Sequence, residues 1–265
     1  MLELLDHALS AARAAGAELL KIYAGGRMDV AQKSDGSPVT DADLRADVVI
    51  KEILGVTALP VLSEEAVVPF EQRCNWQRFW LVDPLDGTKD FIAHNDEFTV
   101  NIALIENGVP VIGVVSAPAL NRTWYASTGA GAWQSDGGSI SAISALATWP
   151  VKPRMFLSRF HDVPESLEFA RLNGVEDMVR AGASSKLARV AASDAEFYPR
   201  FAGTSEWDIA AGDAILTEAG GMLRTISGQA PKYNKPSLRN PFFVAWRPPL
   251  RWEDIKLPAS VRGVE

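Results

Sequence analysis

The sequence predicts a layered α/β or α+β protein, and three patterns carry that prediction. Apolar residues recur at helical spacing over the first fifty positions. Strand-like runs surround an Asn-Gly pair in the middle, and beyond Pro150 short strands alternate with helices. Helices first, then a meander, then alternation: such an order builds sheets covered by helices.

Leu2, Leu5, Leu9, Ala12, Gly16, Leu19 and Tyr23 recur at steps of three and four, which predicts an amphipathic helix over 2–23. Residues 33–38, Lys-Ser-Asp-Gly-Ser-Pro, predict a turn, and Ala46, Val49, Ile50 and Ile53 mark a second helix starting near Thr40. Residues 61–63 and 80–83 are short apolar runs of strand type. Residues 98–106 and 109–116 flank Asn107-Gly108, a hairpin signal because both residues tolerate left-handed backbone. Residues 123–126 and 132–134 predict further strands of the same antiparallel sheet. Next come a strand (155–158), helices (164–172 and 184–192), a strand (195–199), a helix (206–219) and a strand (242–246). The change of pattern divides the chain into an α+β half, 1–145, and an α/β half, 146–265. No repeat or low-complexity tract interrupts them.

Composition narrows the function. The chain has 265 residues, 47% of them hydrophobic and 22% charged, the balance of a folded protein with a sizeable core. No run approaches the roughly 18 apolar residues of a membrane span. Glu3, Asp6, Arg13 and Glu18 break up the opening stretch, which therefore matches neither a signal nor a transit peptide. The expected location is the cytoplasm. Cys74 is the only cysteine, which excludes an internal disulfide and suits a reducing compartment. The net charge of -7, with no basic run, argues against nucleic-acid binding. A small anion still fits an acidic protein where a metal or a helix end reverses the local field.

Five acidic positions stand where chain geometry favours a shared site. A buried strand ends at Asp83; Pro84 denies the ladder a hydrogen bond, and Gly87 permits a tight turn. Asp83 and Asp86, three residues apart at a strand end, repel each other unless a hard cation intervenes, and such a cation prefers oxygen ligands. The Leu85 carbonyl, freed from the sheet, is a third oxygen. The amides of Gly87 and Thr88, at the start of a helical turn, suit a phosphate. The competing role for this segment is a polar turn with Asp as a helix cap. Glu64 also follows a strand, where a solvated acidic turn is the alternative. Asp43 and Asp208 each close a Thr/Ser-x-x-Asp capping box, and each equally suits a catalytic site. His7, His94 and His161 lie in no zinc-type spacing.

The segments Asp83-Pro84-Leu85-Asp86-Gly87-Thr88 and Trp207-Asp208-Ile209-Ala210-Ala211-Gly212 together resemble the paired signatures of the inositol monophosphatase superfamily. Ser63-Glu64-Glu65 and Pro38-Val39-Thr40-x-x-Asp43 stand upstream in the matching order. The resemblance extends along nearly the whole chain. Within the superfamily the chain is most similar to the CysQ-type 3'(2'),5'-bisphosphate nucleotidases. Thr88-Lys89-Asp90-Phe91, Ser184-Ser185-Lys186-Leu187, residues 195–201 and Lys235-Pro236-x-x-Arg239-Asn240-Pro241 carry that similarity.

The resemblance implies a layered α-β-α-β-α sandwich, two or three Mg²⁺ ions, inhibition by Li⁺, and a place in sulfur assimilation. It implies hydrolysis of adenosine 3',5'-bisphosphate to AMP. It assigns the metals to Glu64, Asp83, Asp86, Asp208 and the Leu85 carbonyl, with Asp83 bridging two ions. Asp43 and Thr88 would orient and deprotonate the attacking water, and the Gly87 and Thr88 amides would hold the phosphate. Peripheral contact with the inner membrane is a further implication. The sequence departs from the family pattern at Phe160 for Ser, Asp194 for Gly, Ala202-Gly203 for Gly-Pro, and Phe242 for a small residue. These changes leave the metal positions intact and touch the region where a base or ribose binds.

Ser184-Ser185-Lys186 opens a predicted helix, so its amides and Lys186 suit a second anionic group. Arg200 precedes the helix of Asp208 and suits the same role; the alternative for both is an ordinary surface cation. The expected partner is a small-molecule phosphate ester handled by a monomer or homodimer. Other phosphatases of the same scaffold, acting on inositol phosphate or histidinol phosphate, remain open, as does a non-catalytic metal or nucleotide sensor.

Overall fold

A computed structural model describes residues 1–25, 30–32, 38–160 and 163–262. Residues 33–37 of the predicted turn 33–38, and His161, lie outside the described residues, and Pro38 begins a strand. Helix α1 (Leu2–Gly25) buries a stripe of Leu5, Ala8, Ala12, Ala15 and Leu19, as its spacing predicts. Strands β1 (Val30–Gln32) and β2 (Pro38–Thr40) pair antiparallel, and β2 leads into α2 (Asp41–Gly55), capped by Thr40.

Then follow β3 (Val61–Ser63), α3 (Phe70–Arg73), β4 (Arg78–Asp86), α4 (Thr88–Ile92), β5 (Thr99–Glu106), β6 (Val109–Ala117), β7 (Arg122–Ser127), β8 (Ala132–Asp136) and β9 (Ser139–Ile143). Strands β3 to β9 form a seven-stranded sheet in chain order, with β3 parallel to β4 and the other pairs antiparallel. Asn107 (φ 52) and Gly108 (φ 76) take the left-handed conformations that a two-residue hairpin demands.

The remaining chain forms β10 (Arg154–Ser158), α5 (Pro164–Leu172), β11 (Asp177–Ala181), α6 (Ser185–Ala191), β12 (Phe197–Arg200), α7 (Glu206–Glu218), β13 (Met222–Thr225) and β14 (Phe243–Trp246). Their strands make a mixed five-stranded sheet in the order β11-β10-β12-β14-β13. Among the described residues, no helix is long and apolar enough to cross a membrane.

The two-residue period of the strands sorts the core into layers. On β4, Trp80 and Val82 face α1 and α2, while Phe79 and Leu81 join α6 and α7 on the opposite side. On β14, Phe243 and Ala245 meet those same middle helices, and Val244 and Trp246 face α5 and the C-terminal segment. The result is the expected α-β-α-β-α sandwich. Helix α7 lies between the two sheets and is therefore apolar nearly all round. It approaches β6 closely at Gly113, where a Cβ would lie 2.2 Å from the Ala211 carbonyl oxygen.

Boundaries moved by a few residues. Predicted strand 80–83 lengthens to nine residues because sheet pairing extends it, and predicted helix 184–192 begins at Ser185. Strands β1, β2, β9, β11 and β13 were not predicted. Strand β9 is exposed and serine-rich, yet Gly137-Gly138, both at positive φ, is a hairpin signal that points to it.

Candidate active site

Parallel pairing of β3 with β4 sets Ser63 opposite Val82, so the next residues, Glu64 just past β3 and Asp83 within β4, stand side by side. Beyond Asp83 the ladder with β5 loses register until Asp86 pairs with Thr99, the irregularity expected of Pro84. Asp83, 1% exposed, turns one oxygen back to accept the Leu85 amide at 3.1 Å. Gly87 then adopts φ +86, and a Cβ there would come within 3.1 Å of Ala183 Cβ. Glycine meets both demands and lets the chain enter α4 directly.

The two capping boxes exist, and their acids also reach the cleft, Asp208 by lining it and Asp43 by touching Thr88, which does. Asp43 Oδ2 accepts from Thr40 N and Thr40 Oγ1, both at 2.7 Å. Its other oxygen lies 3.3 Å from Thr88 Oγ1, which also stands 3.4 Å from the Leu85 carbonyl. Asp208 Oδ2 accepts the Ser205 amide at 2.7 Å, fixing the carboxyl on the first turn of α7. Capping aims these acids; it does not compete with a chemical role.

Glu64, Asp83 and Asp208 each place a carboxylate oxygen within 4.8 Å of the others. Asp86 lines the same cleft beside them. Burial, then the charges of Asp86 and Glu64, pushes the Asp208 pKa well above the usual carboxylate range. Burial raises Asp86 too, opposed by Lys186, Ser184, Arg200 and Asn101. Three convergent carboxylate oxygens, one of them on an acid whose pKa burial and like charge raise, fit a hard divalent cation.

The same cleft also carries basic groups. The cleft, of about 450 Å³, runs from Glu64 and Asp208 to Lys186, Arg200 and Arg239. Lys186 and Arg200 are 3% and 8% exposed, which overturns their reading as ordinary surface cations. Lys186 Nζ donates to the carbonyls of Ala181 (3.2 Å) and Ala183 and stands 5.3 Å from the centre of the Tyr198 ring. Burial pushes its pKa down to about 8, opposed by Asp86. Arg200 Nη2 donates to the Gly203 carbonyl at 3.3 Å, while its buried Nε has no partner among the described residues. Ser184 does not cap α6; its hydroxyl bridges to Asn101 Oδ1 at 2.6 Å and Thr99 Oγ1 at 2.9 Å on β5, tying the helix to the larger sheet.

Sequence reasoning missed a second group of charges, which reaches the cleft through Asp90 and Arg159. Glu97 Oε2 accepts from Arg159 Nε at 3.0 Å and from the Gly182 amide at 2.8 Å. Asp90 Oδ1 accepts from Asn95 Nδ2 at 2.6 Å and lies 3.6 Å from Arg159 Nε. The available signal was that Arg159 directly follows a predicted strand, whereas its partners are over sixty residues away.

These layers and this cleft define an α-β-α-β-α protein whose cleft holds both a cation-seeking acidic cluster and buried basic groups. The family profile of the inositol monophosphatases matches residues 1–247. The chain belongs to the inositol monophosphatase family. It is 44% identical to the 3'(2'),5'-bisphosphate nucleotidase CysQ of Salmonella typhimurium, over 91% of this chain and 98% of that one. The solved structure of CysQ from Bacteroides thetaiotaomicron is 38% identical, covering 92% of this chain and 96% of its own, with a TM-score of 0.82. The extragenic suppressor protein SuhB of Bartonella henselae is 25% identical, with 98% and 99% coverage and a TM-score of 0.79.

Proposed function

We propose that this protein is a 3'(2'),5'-bisphosphate nucleotidase that removes the 3'-phosphate of adenosine 3',5'-bisphosphate to leave AMP. The observation that carries the assignment is one cleft that holds both a carboxylate cluster and two buried cations, Lys186 and Arg200. A substrate with two phosphates needs one site for each group, whereas inositol monophosphate needs no second anion site. The CysQ relatives, matched over nearly their full length, support the same choice.

Glu64, Asp83, Asp86, Asp208 and the Leu85 carbonyl would hold two or three Mg²⁺ ions. Bound magnesium supplies positive charge that draws the phosphoryl oxygens, acidifies water and stabilises the departing oxygen. The amides of Gly87 and Thr88 face the phosphate at the start of α4. Thr88 has a single hydroxyl proton within reach of two acceptors, Asp43 Oδ1 and the Leu85 carbonyl; were magnesium to take the carbonyl, that proton would go to Asp43. Thr88 Oγ1 then accepts from the attacking water and relays its proton to Asp43. Lys186, Arg200 and Ser184 receive the 5'-phosphate or ribose and fix the 3' position at the acidic cluster. Residues 1–145 supply most of the metal ligands, and 146–265 close the site. The assignment includes a cytoplasmic location, consistent with the lone Cys74, and a monomeric or homodimeric state.

Phosphate release in Mg²⁺ from adenosine 3',5'-bisphosphate, inositol 1-phosphate and histidinol phosphate tests the assignment. The bisphosphate should show much the highest kcat/KM, and AMP should accumulate. Lys186→Ala should raise KM for the bisphosphate more than for a monophosphate. A better kcat/KM on either monophosphate would reject the nucleotidase and leave a general phosphatase.

A further inference from the structure

We propose that Phe160 is the base-stacking residue of the cleft and makes the enzyme selective for nucleoside bisphosphates over bisphosphates that lack a base. The inference deepens the nucleotidase assignment and rests on it. Phe160 follows β10 and lines the cleft with Arg159, Asp90 and Lys186. It is 44% exposed and the most open aromatic ring of the lining, where Tyr198 is buried and Trp207 half-buried. Phe169 and Phe201 pack against each other at 5.9 Å, but the ring of Phe160 has no aromatic partner among the described residues.

Its attachment is fixed. The Ser158 carbonyl accepts from Arg180 Nη1 at 3.3 Å, and Arg159 Nε is tied to Glu97 Oε2 at 3.0 Å. These bonds anchor the two residues before Phe160 and leave its ring open to the cleft, where a ligand can cover it. With one phosphate at the acidic cluster and the other at Lys186 and Arg200, both anions are held inside the cleft. The base is the part of the substrate left to meet the exposed ring. A nucleobase has two apolar faces, and stacking on an aromatic side chain needs no match of donors and acceptors.

The test compares wild type, Phe160→Ala and Phe160→Trp on adenosine 3',5'-bisphosphate and on ribose 3,5-bisphosphate, which has no base. Phe160→Ala should raise KM for the nucleotide about tenfold, the size of one lost base–aromatic stack. Its kcat, and its KM for the sugar bisphosphate, should stay unchanged, and Phe160→Trp should keep the wild-type preference. A binding measurement gives a second readout: the fluorescence of 2-aminopurine riboside 5'-phosphate should be quenched by wild type and Phe160→Trp but not by Phe160→Ala. Equal KM changes on both substrates, an unchanged nucleotide KM, or quenching that persists in Phe160→Ala would each overturn stacking while leaving the nucleotidase intact. A wild type that cleaves neither bisphosphate would overturn the nucleotidase assignment and this inference together.

Discussion

Glu196 and Asp208 are both acids set into the protein near α7, and their surroundings are opposite. Glu196 Oε1 accepts from Arg247 Nε at 3.0 Å and Nη2 at 2.7 Å, and its Oε2 takes the Arg154 amide at 2.6 Å. The other guanidinium donors of Arg247 end on the carbonyls of Ala145, Ala147 and Thr148. Charge is cancelled where it stands. Asp208 instead shares its corner with Glu64 and Asp83, and the charges of Asp86 and Glu64 add to burial in raising its pKa. A buried pair that satisfies itself joins layers, whereas like charges brought together prepare a place for something else.

The largest expected effect breaks the closed cluster. Glu196→Ala leaves Arg247 charged and buried, and should cost about 3–5 kcal/mol in denaturant unfolding while turnover per folded molecule is unchanged. A loss within experimental error would mean the pair contributes nothing to joining the layers.

Asp213 adds a third kind of buried acid, held by hydroxyls: Tyr233 Oη donates at 2.7 Å and Thr217 Oγ1 at 3.3 Å. Burial pushes its pKa up to about 6, so the folded state favours the protonated form. The unfolded chain ionises near pH 4 and gains by doing so. Stability should therefore fall as pH rises from about 4 to about 6, by on the order of 3 kcal/mol, and level off above. Asp213→Asn should lack that fall. Parallel pH–stability curves for the two proteins would contradict it.

The open cluster is tested next. Asp43→Asn and Asp208→Asn retain an oxygen for their capping bonds, so both should fold with near-normal melting temperature. Turnover should drop at least about a hundredfold, the scale of a lost acid–base group. If the acids only cap, alanine variants should cost about 0.5–2 kcal/mol and keep their turnover.

Magnesium gives the smallest effect and sharpens the contrast. At a hundredfold excess over its dissociation constant it should stabilise the protein by about 2.7 kcal/mol. The gain should survive in Glu196→Ala and shrink in Asp208→Asn. Equal gains in both variants, read as melting shifts, would separate the metal from this cluster.

Much of this was legible because it is local. The period of α1, the Asn107-Gly108 turn and the Pro84 break each declare themselves within a few residues. The acids at 43, 64, 83, 86 and 208 were found because strand ends and helix starts are readable positions. The depth of Lys186 and Arg200 was not legible, since burial follows from how α6 and β12 sit against the larger sheet. Nor was the sharing of oxygens by Asp43, where cap and Thr88 contact use different atoms of one carboxyl. Strand β11 escaped because Asp177 and Arg180 make it read as polar, a composition that suits its place at the edge of its sheet.

The position of α7 between the sheets also has a consequence for biosynthesis. Asp208 is translated about 125 residues after Asp83. At ordinary elongation rates that delay is roughly 6–25 s. Through that interval the nascent chain carries Phe79, Leu81, Ala103 and Ile105 without the helices that later cover them. A ribosome stalled before residue 206 would thus display a half-finished sandwich with a greasy face and a partial set of acids. Such a chain is a natural client for holdase chaperones.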